Sequence, residues 1–178
     1  EVAGALALCG ASIVDAHIFT TNDSMALDSF GIQDAVNGGV LDDRRRLDKI
    51  ETTVTDAVTG RIHLAEALAN RERPRSRTDV FQVTPRVLID NGASRTHTVV
   101  ELNGRDRAGL LFDVCRALKE LGLVVSSAHV TTFGERAVDV VYLKDVFGMK
   151  ITSPAKLERL RTTLLEALGD AGAKARAR

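Results

Sequence analysis

The hydrophobic pattern of the C-terminal half changes period several times. "THTVVEL" (96–102) is dense in β-branched residues and predicts a strand. Over 108–121 the apolar residues Leu110, Leu111, Val114, Ala117, Leu118 and Leu121 recur at the 3.6-residue spacing of one helix face. Gly122 follows as a residue able to end that helix in a left-handed conformation. "VVSSAHVTTF" and "RAVDVVYLKD" then predict two strands joined by a turn at Gly134-Glu135. Ser153-Pro154 has the form of a helix start, and Leu157, Leu160, Leu164, Leu165 and Leu168 would line that helix's buried face. The order β-α-β-β-α lacks only one strand of a ferredoxin-like unit.

The N-terminal half repeats this middle. In "CGASIVDAHIFTTNDSMALDSFGIQD" Gly10, Ala16, His17 and Thr20 match Gly122, Ala128, His129 and Thr132 of "LGLVVSSAHVTTFGERAVDVVYLKD". After a one-residue slip Ala26, Asp28 and Asp34 match Ala137, Asp139 and Asp145. A period of more than 100 residues exceeds that of solenoids and indicates a duplicated domain. The first copy opens on a helical stub (2–9), continues in strands at 12–21 and 25–35, and then in a helical stretch from 41 to about 70 that Gly60 can break. "RERPRSRT" (71–78) reads as a basic linker. Alternation of Phe81, Val83, Pro85, Val87 and Ile89 reads as an edge strand, because Pro85 cannot donate to a ladder. The expectation is an α+β protein of two ferredoxin-like (βαββαβ) units. The first, 1–91, includes the linker 71–80 and takes 81–91 as its closing edge strand; the second is 96–170; a flexible basic tail occupies 171–178. The first unit lacks its N-terminal central strand, so the chain is expected to be a piece of a longer protein.

Charge narrows the function classes. Lys plus Arg and Asp plus Glu each number 24, so the net charge is zero, without the positive surplus that nucleic acid or an anionic membrane would favour. No apolar run approaches the roughly 20 residues of a membrane span, and no signal peptide is visible. Cys9 and Cys115 lack CxxC spacing and sit in apolar helical stretches, which fits free thiols in a reducing cytoplasm.

The candidate chemistry lies in "NGRDRAGLLFDV" (103–114). Gly104 and Gly109 have the spacing of a phosphate loop, but Leu110 and Leu111 stand where Lys and Ser or Thr are required. What remains is a strand-loop-helix whose helix, expected to begin near Ala108, turns unpaired N–H groups towards the loop. Such an end suits a carboxylate and Asp106 suits an ammonium, so together they fit the two charged ends of an amino acid. The same residues also fit a purely structural role, with Asp106 capping the helix and Gly109 permitting close packing.

"DRAGLLFDVCRALKELGLVVSSAHVTTFGERAVDVVYL" resembles the ACT domain, whose loop typically reads D/N-R-P-G-L; Ala108 replaces the usual proline. "IVDAHIFTTNDSMALDSFGIQD", the basic linker, "FQVTPRVLIDNGAS" and "GERAVDVVYLKDVFGMKI", in that order, resemble the C-terminal tandem ACT region of the family of bifunctional uridylyltransferase/uridylyl-removing enzymes. The resemblance implies an allosteric module that senses L-glutamine and signals to catalytic domains upstream in the same chain. Those domains would act on the PII nitrogen-signalling protein and would carry any Mg2+ or Mn2+, with no cofactor in this part. It also implies self-association through ACT domains. Transferred residue by residue, the site comprises Asp106, Arg107, Ala108, Gly109 and Leu110, facing Ser12 and Ile13 of the first copy. Val124, at the position equivalent to Ser12, has no polar side chain.

No catalytic or metal residues are expected here. The nearest string to a nucleotidyltransferase carboxylate pair, Ser12 with Asp15, has His17 where a second Asp is needed, and none of His17, His63, His97 and His129 is followed by Asp. His17 and His129 read as shaping the sheet. Two further classes stay open: an interaction module that binds no ligand, suggested by apolar Val138, Val140 and Tyr142 opposite Val141 and Leu143, and an RNA-binding sheet, for which only Tyr142 and Phe133 offer aromatic rings.

Overall fold

The computed structural model describes residues 1–21, 25–70, 83–133 and 136–169. The elements are α1 (Val2–Leu8), β1 (Ala11–Thr20), β2 (Ala26–Asp34), α2 (Arg44–Val58), α3 (Leu64–Ala69), β3 (Arg86–Asp90), β4 (Thr98–Arg105), α4 (Leu110–Glu120), β5 (Leu123–Phe133), β6 (Arg136–Asp145) and α5 (Pro154–Leu168). The linker 71–80, positions 81–82, the turn at 134–135 and the tail 171–178 lie outside the described residues.

The strands form one six-stranded antiparallel sheet in the order β2-β1-β5-β6-β4-β3. The α+β class and the ferredoxin-like character expected from periodicity therefore hold. The two hairpins, β1–β2 and β5–β6, join edge to edge through β1 and β5, where Ala16 faces Val130, His17 faces His129 and Ile18 faces Ala128. His17 and His129 occupy equivalent places in the repeat, so a pseudo-two-fold axis passes between them.

The destination of β3 corrects the expected arrangement. It does not close the first unit but pairs with β4, Val87 facing Leu102 and Leu88 facing Glu101. Among the described residues β1 is already flanked by β2 and β5, whereas β4 offers an edge beside α5. There Val87 becomes 4% exposed and its carbonyl accepts from Arg161 Nη1 at 2.7 Å. An alternating strand goes where its apolar face can be buried.

Cross-strand rows run through the sheet with alternating faces. Phe30, Ala16, Val130, Asp139, Leu102 and Val87 turn towards α1, α4 and α5. The neighbouring row, Ser29, His17, His129, Val140, Glu101 and Leu88, turns to the opposite face. The main core lies between β3–β6 and α4–α5 and includes Val100, Leu102, Val114, Leu118, Leu143, Leu160 and Leu164. A second cluster joins α1, α2 and α3 to Phe112 of α4. Gly4 permits that contact, since a Cβ there would stand 2.6 Å from the Phe112 ring.

The repeat matches have local causes. Asp34 accepts from the amides of Val36 and Asn37, and its counterpart Asp145 from those of Phe147 and Met149. Each closes the turn after its hairpin. The expected long helix after β2 is two helices, α2 and α3, separated near Gly60, whose φ is 75°. Asp43 caps α2, its side chain accepting from Arg45 N at 2.9 Å. Asp43→Ala is expected to lower the unfolding free energy by about 1 kcal/mol. Urea titration would show this as a lower midpoint with an unchanged slope, and an unmoved midpoint would leave the cap without energetic weight.

Candidate functional site

β4 ends at Arg105 and α4 begins at Leu110, two residues later than the sequence pattern predicts. Gly109 occupies the position before the helix with φ 80° and ψ 8°, a left-handed conformation that glycine adopts without steric cost. Asp106 is therefore not the helix cap. The Leu110 amide donates to the Arg107 carbonyl at 3.0 Å, closing the turn. The amides of Gly109, Leu111 and Phe112 are left as donors that the helix ladder itself cannot satisfy.

Arg107 holds this turn in place. Its Nη1 lies 2.7 Å from Asp113 Oδ2 in α4, and its Nη2 donates to the Ala167 carbonyl at 2.8 Å near the end of α5. Asp113 is 1% exposed. Arg107 borders the candidate cavity, and its guanidinium ties the loop to α4 and α5, while its Nε has no hydrogen-bond partner among the described residues.

All seven residues expected at the site, Ser12, Ile13, Asp106, Arg107, Ala108, Gly109 and Leu110, line one cavity between the two repeats. Ala3 and Ala7 of α1 line it too, with Val130 and Thr132 of β5 and Ala137 and Asp139 of β6. Thr132 Oγ1 donates to the Ile13 carbonyl at 3.3 Å, tying the β1 wall to β5. The cavity is small, about 30 Å³, and partly open to solvent. A larger cavity of about 320 Å³ lies near Leu121, Phe147, Lys156 and Arg159. It contains none of the expected residues, and its acid, Asp145, already accepts from backbone amides.

Sequence reasoning missed Asp139. It is 2% exposed on the helix-covered face, and its Oδ1 accepts no hydrogen bond among the described residues. Burial, and then the nearby Asp106 carboxylate, push its carboxyl up to about 7, against a partial pull downwards by the Thr131 backbone. Burial also raises Asp106, with the Arg107 amide and charge acting the other way. Two carboxyls in one apolar recess are short of positive charge. The signal was present in β6, where Asp139 falls on the same alternating face as Ala137, Val141 and Leu143.

The remaining candidates fall elsewhere. Cys9 and Cys115 are free, and burial pushes the Cys115 thiol up to about 11. His97 packs edge-on to Tyr142 with ring centroids 6.1 Å apart. Val124 is 45% exposed. The side chain of Phe133 lies outside the description, which leaves Tyr142 as the described ring of the RNA-binding reading. His17 and His129 are neither core residues nor next to the cavity, but lie on the sheet's other face.

A ferredoxin-like sheet with a loop-helix turn set against a neighbouring repeat is the arrangement of an ACT domain, and residues 86–171 match the family described as "ACR9-like, ACT-like domain". The match begins at β3, the strand that pairs with β4. The chain is also similar over nearly its whole length to bifunctional uridylyltransferase/uridylyl-removing enzymes. That of Azospirillum brasilense is 52% identical over 174 residues, 97% of this chain and 19% of that protein. Those of Gluconobacter oxydans and Rhodospirillum rubrum are 49% and 48% identical, over 96% and 94% of this chain and 18% of each relative. An ACT-like domain over 86–171, together with similarity to these enzymes over nearly the whole chain, fits a C-terminal ACT region of such an enzyme. It spans about a fifth of the length of these relatives. No helix among the described residues is long and apolar enough to cross a membrane.

Proposed function

We propose that this chain is the glutamine-sensing module of a cytoplasmic enzyme that uridylylates and deuridylylates the PII protein, and so takes part in nitrogen signalling. The observation that carries the reading is the cavity shared by both repeats, where Asp106 and the unpartnered Asp139 Oδ1 meet the start of α4. The ligand's ammonium lies between the two carboxylates, and its carboxylate faces the amides of Gly109 and Leu111. Backbone of Ser12 and Ile13 forms the far wall. The cavity, about 30 Å³ and partly open, is narrow for an amino acid, so binding moves the 106–109 turn away from α1 and β1. That displacement across the seam is the signal offered to catalytic domains elsewhere in the protein, where any Mg2+ or Mn2+ belongs.

Calorimetry with glutamine tests this reading. A charge-assisted hydrogen bond contributes roughly 1.5–3 kcal/mol, so Asp106→Ala is expected to weaken binding about ten- to a hundredfold. An unchanged affinity in that variant would move the site elsewhere, and no heat with the wild-type protein would remove glutamine as the ligand.

A second reading, an interaction module, draws on the apolar side chains exposed on the sheet: Phe19 is 53% exposed, Leu27 67% and Leu88 48%. Sedimentation velocity combined with calorimetry separates the two readings, since a module that only pairs through this face would dimerise and give no heat with glutamine.

A further inference from the structure

We propose that Asp15, His17 and His129 form a binding site for a transition-metal ion of the Zn2+ type, on the sheet face opposite the amino-acid cavity. The antiparallel pairing of β1 with β5 about the pseudo-two-fold axis sets each repeat's histidine directly against its counterpart. The two rings lie 4.9 Å apart, centroid to centroid, at 42°. His17 Nε2 is 3.4 Å from Asp15 Oδ2. His129 Nε2 leans the same way, 3.3 Å from the hydroxyl of Thr131, the residue opposite Asp15. One ligand atom from each of the three residues falls within 4.8 Å of the others.

A tetrahedral ion with ligand bonds of about 2.0–2.2 Å holds its donors roughly 3.3 Å apart. The required contraction is small for side chains such as those of His17 and Asp15, each 46% exposed and free to change rotamer. Two imidazoles and one carboxylate select Zn2+, Ni2+ or Cu2+ over Mg2+ or Ca2+, which prefer oxygen ligands throughout. Water completes the coordination on the open side. A solvated histidine pair would need neither the carboxylate nor the shared lean of both rings.

The donors come from both repeats, so a bound ion would clamp β1 to β5, the pairing that joins the two halves of the sheet. Ala16 and Val130, beside His17 and His129, face the helices and the cavity region. The metal site is thus structurally separate from the proposed glutamine site and does not depend on it.

The test is calorimetric titration of the whole 178-residue chain with Zn2+, together with Co2+ absorption to identify the ligand type. Expected is one ion per chain, a Co2+ spectrum without the thiolate band that Cys9 would contribute, and a Tm that rises with metal. His17→Gln and His129→Gln should each weaken binding at least about tenfold, the loss that even a change behind a metal ligand causes, and the double variant should lose both binding and the Tm rise. Unchanged metal-free Tm in the variants shows that they fold, and a lowered one is controlled by repeating the titration below it. Undiminished Zn2+ affinity in both single variants, or wild-type binding no stronger than in the double variant, overturns the proposal.

Discussion

Arg107→Met is expected to lower the unfolding free energy by about 3–5 kcal/mol, the usual cost of removing one partner from a buried ion pair. Asp113 is 1% exposed and sits 2.7 Å from the guanidinium, so the variant takes the Arg107 cation away from a buried carboxylate in α4. The same change removes the donor to the Ala167 carbonyl, one of the acceptors that α5 cannot satisfy within its own ladder. Both losses act on the packing of α4 against α5, which supports the largest core cluster. The double variant Arg107→Met, Asp113→Leu should recover much of the loss, because two apolar groups have no charge to desolvate. Urea unfolding of the three proteins checks this. A loss below about 1 kcal/mol in the single variant would mean that the pair is solvated and worth no more than a surface salt bridge.

The second large effect concerns pH. In the unfolded chain an aspartate titrates near 3.9, whereas Asp139 in the folded protein titrates at about 7. Between these values the folded state binds more protons than the unfolded one, so stability falls as pH rises. The contribution is fully present below about pH 4 and is lost as pH climbs through 7, on the order of 4 kcal/mol across the window. Asp106 strengthens the effect by opposing a second negative charge. Asp139→Asn keeps the shape, removes the titration and should flatten the fall between about pH 4 and 7. Ligand binding should show the opposite slope. An ammonium placed between the carboxylates favours their ionised forms, so glutamine should bind more tightly at pH 8 than at pH 6 and release a proton on binding at the lower pH. Calorimetry in buffers of different ionisation enthalpy measures that proton. Equal pH profiles for wild type and Asp139→Asn would show that Asp139 controls neither quantity.

Local features were legible because their causes are local. Ser153-Pro154 preceding a leucine stripe marks the start of α5, and the alternation of 136–145 coincides with β6. The loop residues Asp106, Arg107, Ala108, Gly109 and Leu110 are contiguous between a strand and a helix, but it was the resemblance to ACT domains that made them a site and set Ser12 and Ile13 opposite them; one cavity is lined by all seven. The start of α4 was misplaced by two residues because Gly109 takes a left-handed conformation that periodicity does not register.

What remained hidden depends on contacts between distant parts of the chain. The alternation in 81–91 says that a strand has one apolar face, but not which of two sheet edges will bury it; the edge beside α5 does so for β3. Asp139 reads as one acidic residue among 24 Asp and Glu until burial beside Asp106 moves its carboxyl to about 7. Asp15, His17 and His129 meet because β1 and β5 pair about an axis that superposes the two repeats. Period and turn chemistry act over a few residues and are written in the order of the chain, whereas strand partners, burial and the field between two carboxylates exist only once distant segments pack together.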